Sequence, residues 1–82
     1  MAKLDEIESR IRNEVAKCKG VLPADIGLDD PVVEDIGLHG DDFTEIAAYL
    51  HGHYDVRPPL NVYKAGMTIK DWAKIISDAS RK

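Results

Sequence analysis

Five apolar residues near the start of the chain fix its first element. Leu4, Ile7, Ile11, Val15 and Cys18 recur at spacings of 3, 4, 4 and 3, the period that gathers side chains onto one face of an α-helix. Asp5 and Glu6 fall in the first turn and Lys17 and Lys19 in the last, matching the helix dipole at both ends. Gly20 follows as the stop. Cys18 completes the stripe and is expected as a small core residue, with no neighbouring His or second Cys to activate it. The same period returns in Phe43, Ile46, Ala47, Leu50 and Tyr54, predicting a second helix that starts near Gly40 or Asp41 and frays near Gly52. It returns again in Ile69, Trp72, Ala73, Ile76 and Ala79. Thr68 precedes that last run as a good N-cap, with Asp71 three residues on as a capping-box variant. No segment alternates as a strand would, so the predicted fold is all-α.

Between these helices the chain is punctuated. Pro23, Gly27, Pro31, Gly37 and Gly40 interrupt residues 21–40, while Leu22, Ile26, Leu28, Val32, Val33, Ile36 and Leu38 supply scattered apolar anchors. A connection this long in a small domain is either packed down by its own side chains or functional; the apolar count favours packing. Arg57-Pro58-Pro59 is a stiff break, and Asn61 to Lys64 is expected to form one short helical turn ending at Gly66. The 82 residues suit one domain spanning 1–82.

Composition narrows the function classes. Apolar residues are 44% and charged residues 32% of the chain, a soluble globular balance rather than a disordered one. There is no apolar run long enough to span a membrane and no signal-peptide core at the start, so the expected location is cytoplasmic. The lone cysteine excludes an internal disulfide and a Cys-cluster zinc site. A net charge of −4 argues against phosphate-driven nucleic-acid binding. Where the charge sits matters more than its sum. Residues 21–56 hold nine acids and no Lys or Arg, between flanks of +1 and +4. Clustering of this kind carries a cost in self-repulsion that a basic partner surface or a cation would relieve.

The stretch Val33-Glu34-Asp35-Ile36-Gly37-Leu38-His39-Gly40-Asp41-Asp42 resembles the segment that leads into the second helix of acyl carrier proteins, which typically reads V-E-D-L-G-A-D-S-L-D. The resemblance runs on without a gap through Glu45-Ile46, Tyr54-Asp55-Val56, Pro59 and Met67-Thr68-Ile69-Lys70-Asp71. It implies an acyl-carrier-like four-helix bundle of three longer helices and one short one, with a long first loop, and a place in lipid metabolism. The family's chemistry rests on the serine of Asp-Ser-Leu, which carries phosphopantetheine. His39, Gly40 and Asp41 stand at those three positions, and no serine occurs from 10 to 76. Glycine has nothing to esterify, so phosphopantetheine is expected to be absent. As an N-cap, however, glycine costs only a few tenths of a kcal/mol against serine, so the fold can outlive the attachment chemistry. Asp41 also replaces the apolar residue that family members usually present to partner enzymes.

The expected function is therefore a non-enzymatic interaction or regulatory module, a monomer that docks a basic protein partner through Glu34, Asp35, His39, Asp41, Asp42 and Glu45. Two other readings stay open: a genuine acyl or peptidyl carrier modified elsewhere, and a non-covalent binder of a small apolar ligand between the helices. A metal site at His51-Gly52-His53 is disfavoured, since residues two apart do not share a helical face; both histidines are expected as exposed polar residues at a helix end. Catalysis has no nucleophile–base pair, phosphate loop or zinc motif to support it.

Overall fold

The computed structural model describes residues 3–34, 36–38, 40–59, 62–64 and 66–80. Three α-helices carry the architecture: α1 over Leu4–Lys19, α2 over Gly40–Tyr54 and α3 over Ile69–Ser80. A 3-10 turn, Pro23–Asp25, lies in the first connection. Among the described residues there is no strand beyond an isolated bridge between Pro31 and Thr68, and no helix is long and apolar enough to cross a membrane.

Helix α1 buries the middle of its predicted stripe. Ile7, Ile11 and Val15 are fully enclosed, and the helix packs most extensively against α3. Its stop is a Schellman motif. Gly20 adopts φ 70°, its N–H reaches Lys17 O at 3.3 Å, and the Val21 N–H reaches Ala16 O at 3.0 Å. The ends of the stripe depart from expectation: Leu4 is 43% exposed, and Cys18 is exposed rather than a core residue. The spacing is right, but the core ends before the helix does. The Cys18 thiol is raised by partial burial and by the charges of Asp42, Glu45 and Glu14. Ala16, off the stripe, is buried instead.

The connection after α1 is held down by its own side chains and backbone. Ile26, Val32 and Leu38 are buried, and Leu28 and Ile36 pack against the core. The Val32 N–H donates to Met67 O at 3.0 Å and the Leu38 N–H to Val32 O at 2.9 Å. The Lys70 N–H donates to Leu28 O at 3.2 Å, which satisfies one of the free amides that every helix start leaves. The connection is thus tied to the beginning of α3.

Helix α3 starts with a reciprocal capping box. The Asp71 N–H donates to Thr68 Oγ1 and the Thr68 N–H to Asp71 Oδ2, each at 3.2 Å. Its buried face is Ile69, Trp72, Ala73, Ile76 and Ser77, with Ala79 half-buried. Helix α2 buries Ile46, Ala47 and Leu50. It continues through Gly52 to Tyr54 rather than ending near the glycine, and the chain turns at Asp55 with φ 53°. The short turn expected over Asn61–Lys64 lies partly outside the described residues; the described part has the Val62 N–H on Pro59 O at 3.2 Å and the Met67 N–H on Lys64 O at 3.1 Å.

These burials set an ordering of stabilities. Ile11→Ala, in the fully enclosed stripe, should lower the unfolding free energy by about 2–5 kcal/mol. Cys18→Ser, on the exposed last turn, should change it by no more than ~0.5 kcal/mol. Urea denaturation of both variants checks the pair; a loss for Cys18→Ser as large as for Ile11→Ala would put the thiol back in the core.

Candidate functional site

The start of α2 combines an open backbone with several carboxylates. Gly40 is the first helical residue and is exposed. A Cβ placed on it would meet nothing within 4 Å. Asp41 and Glu45 are exposed and Asp42 is half-buried, with Glu34 exposed on the incoming connection. Asp41 and Asp42 sit where the helix dipole favours negative charge. Among the described residues, none of Glu34, Asp41, Asp42 and Glu45 forms an ion pair; the pairs present are Glu6–Arg10, Glu14–Lys17 and Asp29–Lys70. Asp35 and His39, the other two residues expected in the site, lie outside the described residues.

The attachment chemistry of an acyl carrier does not fit these residues. Gly40 presents only backbone. The nearest side-chain hydroxyl in sequence, that of Thr44, is turned back to donate to Gly40 O at 2.9 Å. Ser9 is on α1, and Ser77 and Ser80 are on α3, where the Ser80 hydroxyl donates to Ser77 O at 2.8 Å.

A pocket of about 320 Å³ opens beside Gly40, lined by Val33, Gly40, Phe43, Thr44, Tyr63 and Lys64. Its aromatic lining is anchored from behind. Phe43 stacks on Trp72 with centroids 4.6 Å apart and planes within 15°, and meets Tyr63 edge-on at 5.5 Å. Tyr63 also meets Trp72 edge-on at 6.2 Å. The Tyr63 hydroxyl lies 2.7 Å from His51 Nε2, and the two rings stack with planes within 17°. His51 is therefore half-buried and bonded, not an exposed polar residue at a helix end. His53 is exposed and stacks on Tyr49 at 5.7 Å, so the two histidines diverge. No group of three His, Cys, Asp or Glu side chains among the described residues is arranged to hold a metal.

Spacing places Phe43 on a buried helical face but gives no hint of Tyr63. That residue stands outside any periodic segment, between the Arg57-Pro58-Pro59 break and Gly66. Its pairing with His51 across 12 residues leaves no local trace in the sequence.

Two larger hollows, about 530 and 500 Å³, flank α3 and share Val62, Ile75 and Asp78. Their charged lining residues are mixed, with Lys64, Asp71 and Lys74 in one and Asp55 and Arg57 in the other. Neither hollow includes the α2 carboxylates.

Electrostatics separates the thiol and the imidazole. Partial burial, together with Asp42, Glu45 and Glu14, pushes the Cys18 thiol up, which keeps it protonated and unreactive. Burial pushes His51 below its ordinary value of 6.5. At the far end of α2 a polar cluster joins two helices. The Tyr54 hydroxyl donates to Glu6 Oε2 at 2.7 Å. Arg10 donates to Glu6 Oε1 at 2.9 Å, Tyr54 Oη at 3.1 Å and Tyr49 Oη at 3.2 Å. The Tyr54 phenol is pushed up to about 12 by burial and by the hydrogen bond it gives Glu6, and the same bond lowers Glu6.

Compared with models of protein families, with curated proteins and with solved structures, the chain matches none.

His51 gives a pH signature with a definite sign. Its folded-state value lies below 6.5, so the unfolded chain binds the proton more readily, and stability falls as pH drops below that value. Glu6 acts in a separate window: its lowered value makes its contribution fade only below the ordinary 4.5. The urea midpoint of the wild type should therefore fall between about pH 7.5 and 5.5. His51→Gln keeps an acceptor for Tyr63 but does not titrate, and should fall less. Equal slopes for the two proteins would show that His51 titrates as freely in the fold as out of it.

Proposed function

We propose that this chain is an acyl-carrier-like interaction module that bears no covalent prosthetic group and docks a basic surface of a protein partner through the start of α2. The observation that carries the reading is the set of carboxylates Asp41, Asp42 and Glu45 at the start of α2, with Glu34 exposed on the connection before it, none in an ion pair among the described residues. They lie in a 36-residue stretch without Lys or Arg. Like charges gathered on one face repel one another. A partner bearing Arg or Lys relieves that repulsion and is steered to the face over several ångströms, which raises the association rate and selects against acidic competitors. The resemblance to acyl carriers supports the same face, while Gly40 removes the arm that such a carrier would offer. The module acts by binding rather than by catalysis.

Two measurements test the proposal. Incubated with coenzyme A and a broad-specificity phosphopantetheinyl transferase, the protein should keep its mass. A gain of one phosphopantetheine would overturn the claim that no group is carried. The variant His39→Asp/Gly40→Ser/Asp41→Leu restores the family motif where a side chain has room, and should take up the group in the same assay.

The second measurement addresses docking. A partner recovered from the source cell should bind more weakly as salt rises. Asp41→Asn/Asp42→Asn/Glu45→Gln should remove most of the affinity and flatten the salt dependence. The fold should persist, because the changes give up only ~0.3–1 kcal/mol per charge of helix-dipole interaction. Unchanged affinity in that variant would make the face a solvated surface only.

A further inference from the structure

We propose that the pocket beside Gly40 is a binding site for a small aromatic carboxylic acid, its ring held against Phe43 and Tyr63 and its carboxylate facing the Lys64 ammonium. The site is independent of the docking face, because it uses none of the α2 carboxylates. Three observations carry it.

The first is charge. Lys64 is the one charged residue in the lining. At about 100° per residue, helical spacing turns Asp41, Asp42 and Glu45 more than ~100° from the middle of the Gly40–Phe43–Thr44 face. Lys64 forms no ion pair among the described residues, so its ammonium is open to an anion. The larger hollow that Lys64 also lines lacks this bias, since Asp71 and Asp78 there balance Lys64 and Lys74.

The second is the wall. Phe43 and Tyr63 meet edge-on, with centroids 5.5 Å apart and planes at 81°. A flat ring entering beside them stacks on one and meets the other edge-on, both favoured aromatic geometries. Phe43 is braced by stacking on Trp72, and Tyr63 by the 2.7 Å contact with His51, so the ligand is spared the cost of ordering its site. The hydroxyls of Thr44 and Tyr63 are committed to Gly40 O and to His51. Lys64 is left as the polar group that orients the ligand.

The third is size. At about 320 Å³ the pocket is at the bottom of the range for small-molecule sites, which suits an acid of one ring. Val33, 40% exposed, adds apolar surface at the rim. A Cβ placed on Gly40 would meet nothing within 4 Å, so the α2 side of the mouth is unobstructed.

Titration of the protein with phenylacetate, followed by the NMR shifts of its backbone amides, tests the assignment. Saturable shifts should appear at Gly40, Phe43, Thr44 and Lys64, with a Kd of about 1 mM or tighter. Phenylacetamide, of the same shape but neutral, should bind about 2- to 5-fold more weakly, the scale of an exposed ion pair. Lys64→Met should weaken phenylacetate equally and leave phenylacetamide unchanged, since the two changes remove one interaction. Benzylamine, with the charge reversed, and cyclohexylacetate, with no aromatic face, should both bind more weakly than phenylacetate. Val33→Asp, at an exposed rim position where folding is not at risk, should weaken phenylacetate further, and Val33→Lys should strengthen it.

No saturable shift by about 10 mM, or shifts confined to the hollows along α3, would overturn the site. Phenylacetamide or benzylamine binding as tightly as phenylacetate would overturn the role of Lys64, and cyclohexylacetate doing so would overturn the aromatic assignment. The variant Asp41→Asn/Asp42→Asn/Glu45→Gln should bind phenylacetate at least as tightly as wild type. Loss of acid binding there would tie the pocket to the docking face and overturn their independence.

Discussion

The burial of Trp72 is the contact on which the rest of this structure depends. It lies on α3 with no exposed surface, stacks on Phe43 of α2, and meets Tyr63 of the second connection edge-on. One side chain thus joins a helix, the start of another helix and an irregular segment. Aromatic pairs of this kind add about 0.5–1.5 kcal/mol each beyond the area they bury. The arrangement has a cost: the indole N–H finds no hydrogen-bond partner among the described residues, and the nearby Tyr63 hydroxyl is engaged with His51. Without Trp72, Phe43 would lose its stacking partner, and Tyr63 would keep only its contacts with His51 and Phe43.

How much of this could be read from the sequence follows from which contacts are local. The three helices and the Thr68–Asp71 cap announce themselves by period and by residue type, because both are properties of neighbours in the chain. Cys18 shows the limit of period alone. It has the correct phase, yet phase says which face a residue takes and not where the opposing core stops. The first connection was legible as packed, since Ile26, Val32 and Leu38 had to go somewhere. Its attachment to α3 through Met67 O and the Lys70 N–H was not, because backbone bonds leave no mark on residue identity.

The candidate site divides the same way. Its carboxylates were visible as a compositional asymmetry, and Gly40 as a departure from a motif. The pocket was not visible, because it arises from Tyr63 meeting Phe43 and Trp72 across 20 and 9 residues of chain. A non-periodic aromatic in a connection has no partner that sequence spacing can nominate.

The two ends of α2 treat charge in opposite ways, and that contrast bears most directly on function. At the far end Arg10 pairs with Glu6 on its own helix and reaches across to the hydroxyls of Tyr49 and Tyr54 of α2. Its guanidinium is thereby held more firmly protonated, and acid, base and phenols are satisfied together. At the near end Asp41, Asp42 and Glu45 meet no cation among the described residues, and Asp42 and Glu45 instead raise the Cys18 thiol of α1. A fold that can place an arginine between helices at one end has no geometric need to leave three carboxylates unpaired at the other. Internal packing is complete without them, since Ile46, Ala47 and Leu50 carry the buried face. On the docking proposal, a basic partner surface supplies the positive charge that these carboxylates do not meet among the described residues.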